Sequence, residues 1–196
     1  MIYLKDTCIL IGKLDSCELI SMLHKYNEID DIFALTDVVI DELEPGKTVE
    51  VKKADKSKSM KRAIEMIYKS NPNYLHIYNV KDDKVYINNF KKIRRAFYGH
   101  LKDLKYIKEA LRTGEITKEQ FDNRSYLYKD YGECSCIAVA IENPDDILIV
   151  TEDKGRIFLK TNINLFDKYK ESNNIKVIEY DEWKHEFDSK CLKKKA

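Results

Sequence analysis

Four acidic residues stand where apolar runs end or where helices should begin. Asp6 closes an apolar run at 2–4, Asp153 follows another at 147–150, Glu42 lies on a helix after a third run at 32–35, and Glu133 opens the helix that precedes the 147–150 run. In an open parallel sheet, ligands gather at the carboxyl ends of the strands, and these acids belong at that end. A charged side chain flanked so closely by apolar residues is costly to desolvate unless it is paired or bound to a cation. Carboxylates that converge without lysine partners repel one another. A hard divalent cation, Mg²⁺ or Mn²⁺, relieves that repulsion, and an oxygen-only donor set argues against zinc. Such an ion can hold a phosphodiester and activate a water for in-line attack. Each acid alone has a plainer role. Asp6 can cap a helix, Glu133 can complement a helix dipole, and Glu42 can be a solvated helix residue with Asp41 and Glu44 as substitutes. Glu152 is likewise a neighbour that could replace Asp153. The four as a set carry the inference.

The elements that must position these acids can be read from periodicity. Continuous apolar runs suit strands of a parallel sheet covered on both faces. Leu19, Ile20, Met22 and Leu23 predict an amphipathic helix over 16–26 with Ser16 near its start. Residues 32–35 read as a strand, Thr36 or Asp37 as an N-cap, and 38–43 as a helix ended by Pro45-Gly46. The texture then changes. Residues 47–58 are lysine-rich and weakly periodic, while Met60, Ile64 and Ile67 predict a helix over 59–69. Apolar runs at 74–78 and 84–87 flank Asp82-Asp83 and predict a β-hairpin. A basic helix or helical pair follows over 89–112, closed by Gly114, and Thr117 with Gln120 resembles a capping box. From 131 the α/β alternation resumes: a helix beginning near Gly132 and ended by Pro144, a strand at 147–150, helix at 163–170, a last strand at 175–178, a short helix at 182–187 and a frayed lysine-rich tail. The expected architecture is α/β, a three-layer α/β/α domain spanning 1–196, with a central parallel sheet and 46–129 as a basic insertion containing the hairpin and helices.

Composition bounds the answer. A chain of 196 residues makes one generous domain, and 43% hydrophobic residues supply a core. Lys plus Arg number 35 against 34 Asp plus Glu, yet 47–112 holds 18 basic and 7 acidic residues. That concentration suggests a surface for a polyanion. Lys91, Lys92, Arg94, Arg95 and Arg112, with Phe97 and Tyr98 among them, combine phosphate neutralisers with a stacking platform for unpaired bases. Lys52, Lys53, Lys56, Lys58, Lys61 and Arg62 form a second cluster. The plainer alternative for the two aromatics is ordinary packing of an amphipathic helix. No apolar run is long enough to span a membrane, and the first residues lack a signal-peptide pattern. Five cysteines without CxxC spacing fit reduced thiols in a cytoplasm. The four histidines are scattered, Cys134 and Cys136 should face apart on a helix, and neither a Gly-rich phosphate loop nor a GxSxG elbow occurs.

The segments Asp6-Thr7-Cys8-Ile9-Leu10-Ile11, Val39-Ile40-Asp41-Glu42-Leu43, Gly132-Glu133 followed by Ile137-Ala138-Val139-Ala140, and Leu148-Ile149-Val150-Thr151-Glu152-Asp153 together resemble the ordered landmarks of PIN-domain nucleases. The resemblance covers about 1–45 and 130–180 and leaves 46–129 aside. It implies a metal-dependent endoribonuclease acting on single-stranded or structured RNA. Asp6, Glu42, Glu133 and Asp153 would be catalytic, with Asp6, Glu133 and Asp153 holding Mg²⁺ or Mn²⁺ and Thr7 and Thr151 as supporting hydroxyls. The Thr-x-Asp spacing favours Asp153 over Glu152. A toxin-type relative implies an antitoxin or other regulatory protein as partner, and a homodimer is compatible. The alternative is an inactive PIN-like scaffold that binds RNA or protein without cleaving.

Overall fold

A computed structural model describes residues 1–44 and 54–195. In chain order the elements are β1 (Ile2–Lys5), α1 (Thr7–Gly12), α2 (Ser16–Glu28), β2 (Ile32–Thr36), α3 (Asp37–Glu42), α4 (Ala54–Ser70) and β3 (His76–Tyr78). There follow α5 (Lys84–Phe97), α6 (Leu104–Arg112), α7 (Lys118–Asp122), α8 (Tyr131–Ala140) and β4 (Ile147–Thr151). The chain finishes with β5 (Arg156–Ile157), β6 (Lys160–Asn164), α9 (Leu165–Asn173), β7 (Lys176–Glu179) and α10 (Tyr180–Lys195).

The five-stranded central sheet runs β3-β2-β1-β4-β7, and every neighbouring pair is parallel. Its three central strands are largely apolar because helices cover both faces: Leu4, Ala34, Ile149 and Val150 are fully buried. From β1 the chain moves outward to β2 and β3, while β4 and β7 lie on the other flank. The topology therefore reverses between β1 and β4, where a crevice opens beyond the carboxyl ends of the strands. Register puts Lys5 opposite Val150 and Leu4 opposite Ala34, so the residues that follow β1, β2 and β4 emerge at one edge. A three-layer α/β/α fold is the result.

Helix α8 is buried from Cys134 to Ala140 on all sides, as a helix apolar all round must be, with Cys134 and Cys136 unpaired inside it. The opposite layer holds an aromatic cluster of Tyr3, Tyr26, Phe33, Trp183 and Phe187. Lys5 lies beneath it with no exposure. Its Nζ is 2.8 Å from the centre of a Trp183 ring and has no hydrogen-bond partner among the described residues, and burial holds its pKa well below the usual lysine range.

The hairpin expected at 74–87 does not form. His76–Tyr78 pairs in parallel with β2 as the sheet's edge strand, and 84–87 is the first turn of α5. Asp83 is the deciding residue: its carboxylate accepts from the Val85 and Tyr86 amides, so the chain enters a helix. Tyr86, Phe90, Ile93 and Phe97 then continue the apolar stripe at helical spacing. The segment 46–129 thus supplies a strand of the main sheet, and α5 packs on α8. Smaller differences follow the same logic. Asp15, not Ser16, caps α2 through a capping box with Glu18. Residues 160–164 are strand before α9 begins, and α10 runs through 195 where a short helix and a frayed tail were expected. The capping box of Thr117 and Gln120 forms as expected. Pro45-Gly46, Lys52 and Lys53 lie outside the described residues. Among the described residues no helix is long and apolar enough to cross a membrane.

Candidate active site

Asp6 leaves β1 at the crevice and is 1% exposed. Its Oδ1 accepts from the Thr7 amide at 2.7 Å, which caps α1, and its Oδ2 accepts from Thr151 Oγ1 at 3.1 Å and Cys8 Sγ at 3.2 Å. The capping role and a place in the site therefore coexist in one carboxylate. Thr151 ends β4, and its Oγ1 accepts from the Asp153 amide at 2.9 Å, so one hydroxyl ties together the exits of both central strands. Glu42 reaches in from α3. Its Oε2 accepts from Thr7 Oγ1 at 2.5 Å and its Oε1 from the Gly132 amide at 3.0 Å. Thr7 and Thr151 thus each donate a hydroxyl hydrogen bond to one of the acids.

Gly132 shows how closely these groups meet. A Cβ added there would stand 2.5 Å from Glu42 Oε2, 2.8 Å from Asp6 Oδ1 and 3.1 Å from Thr7 Oγ1. The two carboxylates are therefore no further apart than the first two distances together, and only a glycine leaves them that space. Gly132→Ala should displace both, lowering stability by about 1–3 kcal/mol as overpacking does. Thermal melting of the variant checks this, and an unchanged melting temperature would mean that the acids do not crowd this backbone.

Glu133, the next residue of α8, has no hydrogen-bond or ion-pair partner among the described residues. Burial raises its pKa well above the usual carboxyl range, and the charges of Asp6, Glu42, Asp130 and Asp153 add to the rise. Burial likewise pushes Asp6 up to about 6, helped by Asp153 and opposed by the hydrogen bonds from Cys8, Thr7 and Thr151. Glu42 is pushed up to about 7 by burial and then by Asp6. Asp153 is exposed on the turn after β4, where its Oδ1 accepts from the Gly155 amide at 2.7 Å. Gly155 has φ +68°, a conformation that suits glycine in this tight exit. Asp153 enters the shift of Asp6, Asp6 and Asp130 that of Glu42, and all four other acids that of Glu133.

The substitute acids are elsewhere. Glu152 pairs with Lys13 at 3.4 Å, Asp41 with Lys81 at 2.6 Å, and Glu44 with Lys61. Asp6, Glu133 and Asp153 have no ion pair among the described residues. One further acid was not anticipated. Asp130 sits two residues before Gly132 in a left-handed conformation, φ 58°, and its Oδ2 accepts from the Phe158 amide at 2.8 Å. Burial raises its pKa, the Tyr98 hydroxyl and Arg94 guanidinium pull it back, and its charge reaches Glu42 and Glu133. A second acid three residues before Glu133 was the available signal. Cys8 was the other omission, its Sγ within 3.3 Å of both Asp6 Oδ2 and Thr151 Oγ1.

The donor set is oxygen-rich and suits a hard cation. Among the described residues no three His, Cys, Asp or Glu side chains already form a coordination shell.

The basic residues divide. Lys91, Lys92, Arg95 and Arg62 are exposed with no acidic partner among the described residues. Arg94 turns inward: it donates to the Lys129 and Leu127 carbonyls at 2.7 and 2.9 Å, between the rings of Tyr98 and Tyr131. It is a structural clamp and not a phosphate contact. Arg112 is paired with Glu109, and Lys61 with Glu44. Tyr98 is 3% exposed and belongs to the core, and Phe97 is partly buried against Tyr169, so the two aromatics pack inward and form no stacking platform.

Fold and site together define a three-layer α/β/α protein with an acidic pocket at the switch point of its parallel sheet. Comparison with protein-family models, with curated proteins and with solved structures finds no match to this chain.

Proposed function

We propose that the chain is a Mg²⁺- or Mn²⁺-dependent endoribonuclease of PIN-like architecture. The observation that carries this reading is the meeting of Asp6 and Glu42 over Gly132, beside a Glu133 that lacks any partner among the described residues. A bound divalent cation would polarise the scissile phosphodiester and offset the charge of the acids. Asp6, Glu133 and Asp153 would hold it. Glu42, oriented by Thr7 and the Gly132 amide and with a pKa raised to about 7, would accept a proton from the attacking water. The exposed Lys91, Lys92, Arg95 and Arg62 would neutralise phosphates along the RNA. The five free cysteines fit a reducing cytoplasm as the place of action. A regulatory protein of the antitoxin kind would have to cover the acidic crevice, and expression of the chain alone would then arrest growth.

The test is incubation of purified protein with single-stranded and structured RNA in Mn²⁺ and in EDTA. Internal cleavage in Mn²⁺ that stops in EDTA is the expected result. Salt-sensitive RNA binding with no cleavage in Mn²⁺ would support an inactive binding module and overturn the enzyme reading.

A further inference from the structure

A cavity of about 220 Å³ lies directly beside the acids and shares Glu42 with them. Its walls are apolar and largely aromatic: Ile87, Phe90 and the rings of Tyr128 and Tyr131. Tyr131 is fixed by its neighbours, with the edge of Phe90 at 5.2 Å and the Arg94 guanidinium 4.4 Å from its ring centre. Tyr128 meets Tyr131 edge-on at 5.4 Å yet is 43% exposed, an aromatic side chain that the core does not use. Two half-exposed charges complete the lining, Asp41 and Lys81, joined at 2.6 Å.

These features specify an occupant. The volume is below the roughly 300 Å³ at which pockets for drug-sized ligands begin, and suits a single flat ring system. Aromatic walls reward stacking, while a carboxylate and an ammonium side by side offer an acceptor and a donor to the edge of the same ring. A nucleobase presents both kinds of group around a stacking face. Because Glu42 belongs to cavity and acid site alike, a base lodged here would belong to a nucleotide next to the phosphate at the acids.

We infer that this cavity binds one unpaired nucleobase of the RNA and so restricts the substrate to single-stranded segments. The inference rests on the nuclease reading of the acids and adds its substrate class. A base inside a duplex remains stacked and cannot enter without being extruded. Tyr128 supplies the stacking face at the cavity and Tyr131 its rigid wall.

The test measures binding in EDTA, where cleavage plays no part. The probe is a short single-stranded RNA carrying one 2-aminopurine, compared with the same strand bearing an abasic site there and with its duplex. Entry of the base changes 2-aminopurine fluorescence. Tyr128→Ala should weaken binding about tenfold, as loss of one base–aromatic stack does, and Ile87→Trp, which fills the cavity, should abolish the fluorescence change. The salt dependence of binding should stay as in the unmodified protein, because phosphate contacts are untouched. Equal affinity for the intact strand, the abasic strand and the duplex would overturn the inference, and so would an unaltered signal in both variants. The two readings fail separately. Cleavage in Mn²⁺ without the fluorescence change removes the base pocket alone; the fluorescence change without cleavage keeps the pocket and removes the nuclease.

Discussion

Replacing Asp6 with asparagine will reduce RNA cleavage on the order of a thousandfold while raising the melting temperature of the metal-free protein near neutral pH. The two effects have one cause. Asp6 is 1% exposed among acids that raise one another's pKa, so its charge is a burden on the fold that its hydrogen bonds offset only in part and that a cation would relieve. Asparagine keeps the shape and can still accept from the Thr7 amide, so the cap on α1 survives. What disappears is the negative charge. Each kcal/mol regained is worth about 2–4 °C in a chain of this size. Gel-based cleavage and thermal melts of the same preparation check the pair. A variant that cleaves normally, or that melts lower than the unmodified protein without metal, would show that Asp6 is merely a helix cap.

The second large effect is in pH and metal together. Without metal, the carboxylates destabilise the fold as pH rises from about 4 to beyond 7. The sign follows from proton counting: Asp6 near 6 and Glu42 near 7 keep protons in the native state that the unfolded chain gives up at about pH 4. Across that window the unfolded state binds fewer protons, so stability falls with rising pH and is lost through the folded pKa values. Because a tenfold change in acidity is about 1.4 kcal/mol, the loss amounts to on the order of a few kcal/mol. Asp30, Glu109 and Glu179 are lowered by their basic partners and act below this window. Lys5, held below the usual lysine range, has the opposite sign. The diagnostic is therefore the difference between the unmodified protein and Glu133→Gln, which leaves Lys5 in place. Melting curves from about pH 5 to 8 should fall less steeply for the variant. Mn²⁺ at a hundred times its dissociation constant should restore about 2.7 kcal/mol to the unmodified protein and little to the variant. Parallel curves in both conditions would contradict the account.

How far the sequence reveals this arrangement depends on the range of the forces involved. The strands at 2–5, 32–36 and 147–151 are legible because a sheet buried on both faces needs unbroken apolar runs. An acid at the end of such a run is legible for the same reason: burial makes charge expensive, and the expense is local. The choice of Glu42 over Asp41 is not local. It follows from Lys81 coming back across the chain to pair with Asp41. The β-hairpin does not form because 84–87 belongs with the apolar residues at 90, 93 and 97, which only a helix places on one face. The charge of Arg94 suggests a phosphate contact, but two backbone carbonyls far along the chain claim its guanidinium. Asp130 is not legible in the sequence because its approach to the site depends on a left-handed turn, which residue type permits but does not announce. Lys5 has no precedent in any pattern: alternation within β1 places it among Tyr3, Tyr26 and Trp183, and only the packed layers reveal that.

The central claim is that acids distant along the chain form one site for a divalent cation. Calorimetric titration of Mn²⁺ into metal-free protein at about pH 7.5 tests it most directly. The expected result is saturable uptake with release of protons, since Glu133, held well above the usual carboxyl range, must give its proton up, and loss of that uptake in both Asp6→Asn and Glu133→Gln. Uptake that persists unchanged in the two variants, or none in the unmodified protein, would contradict it.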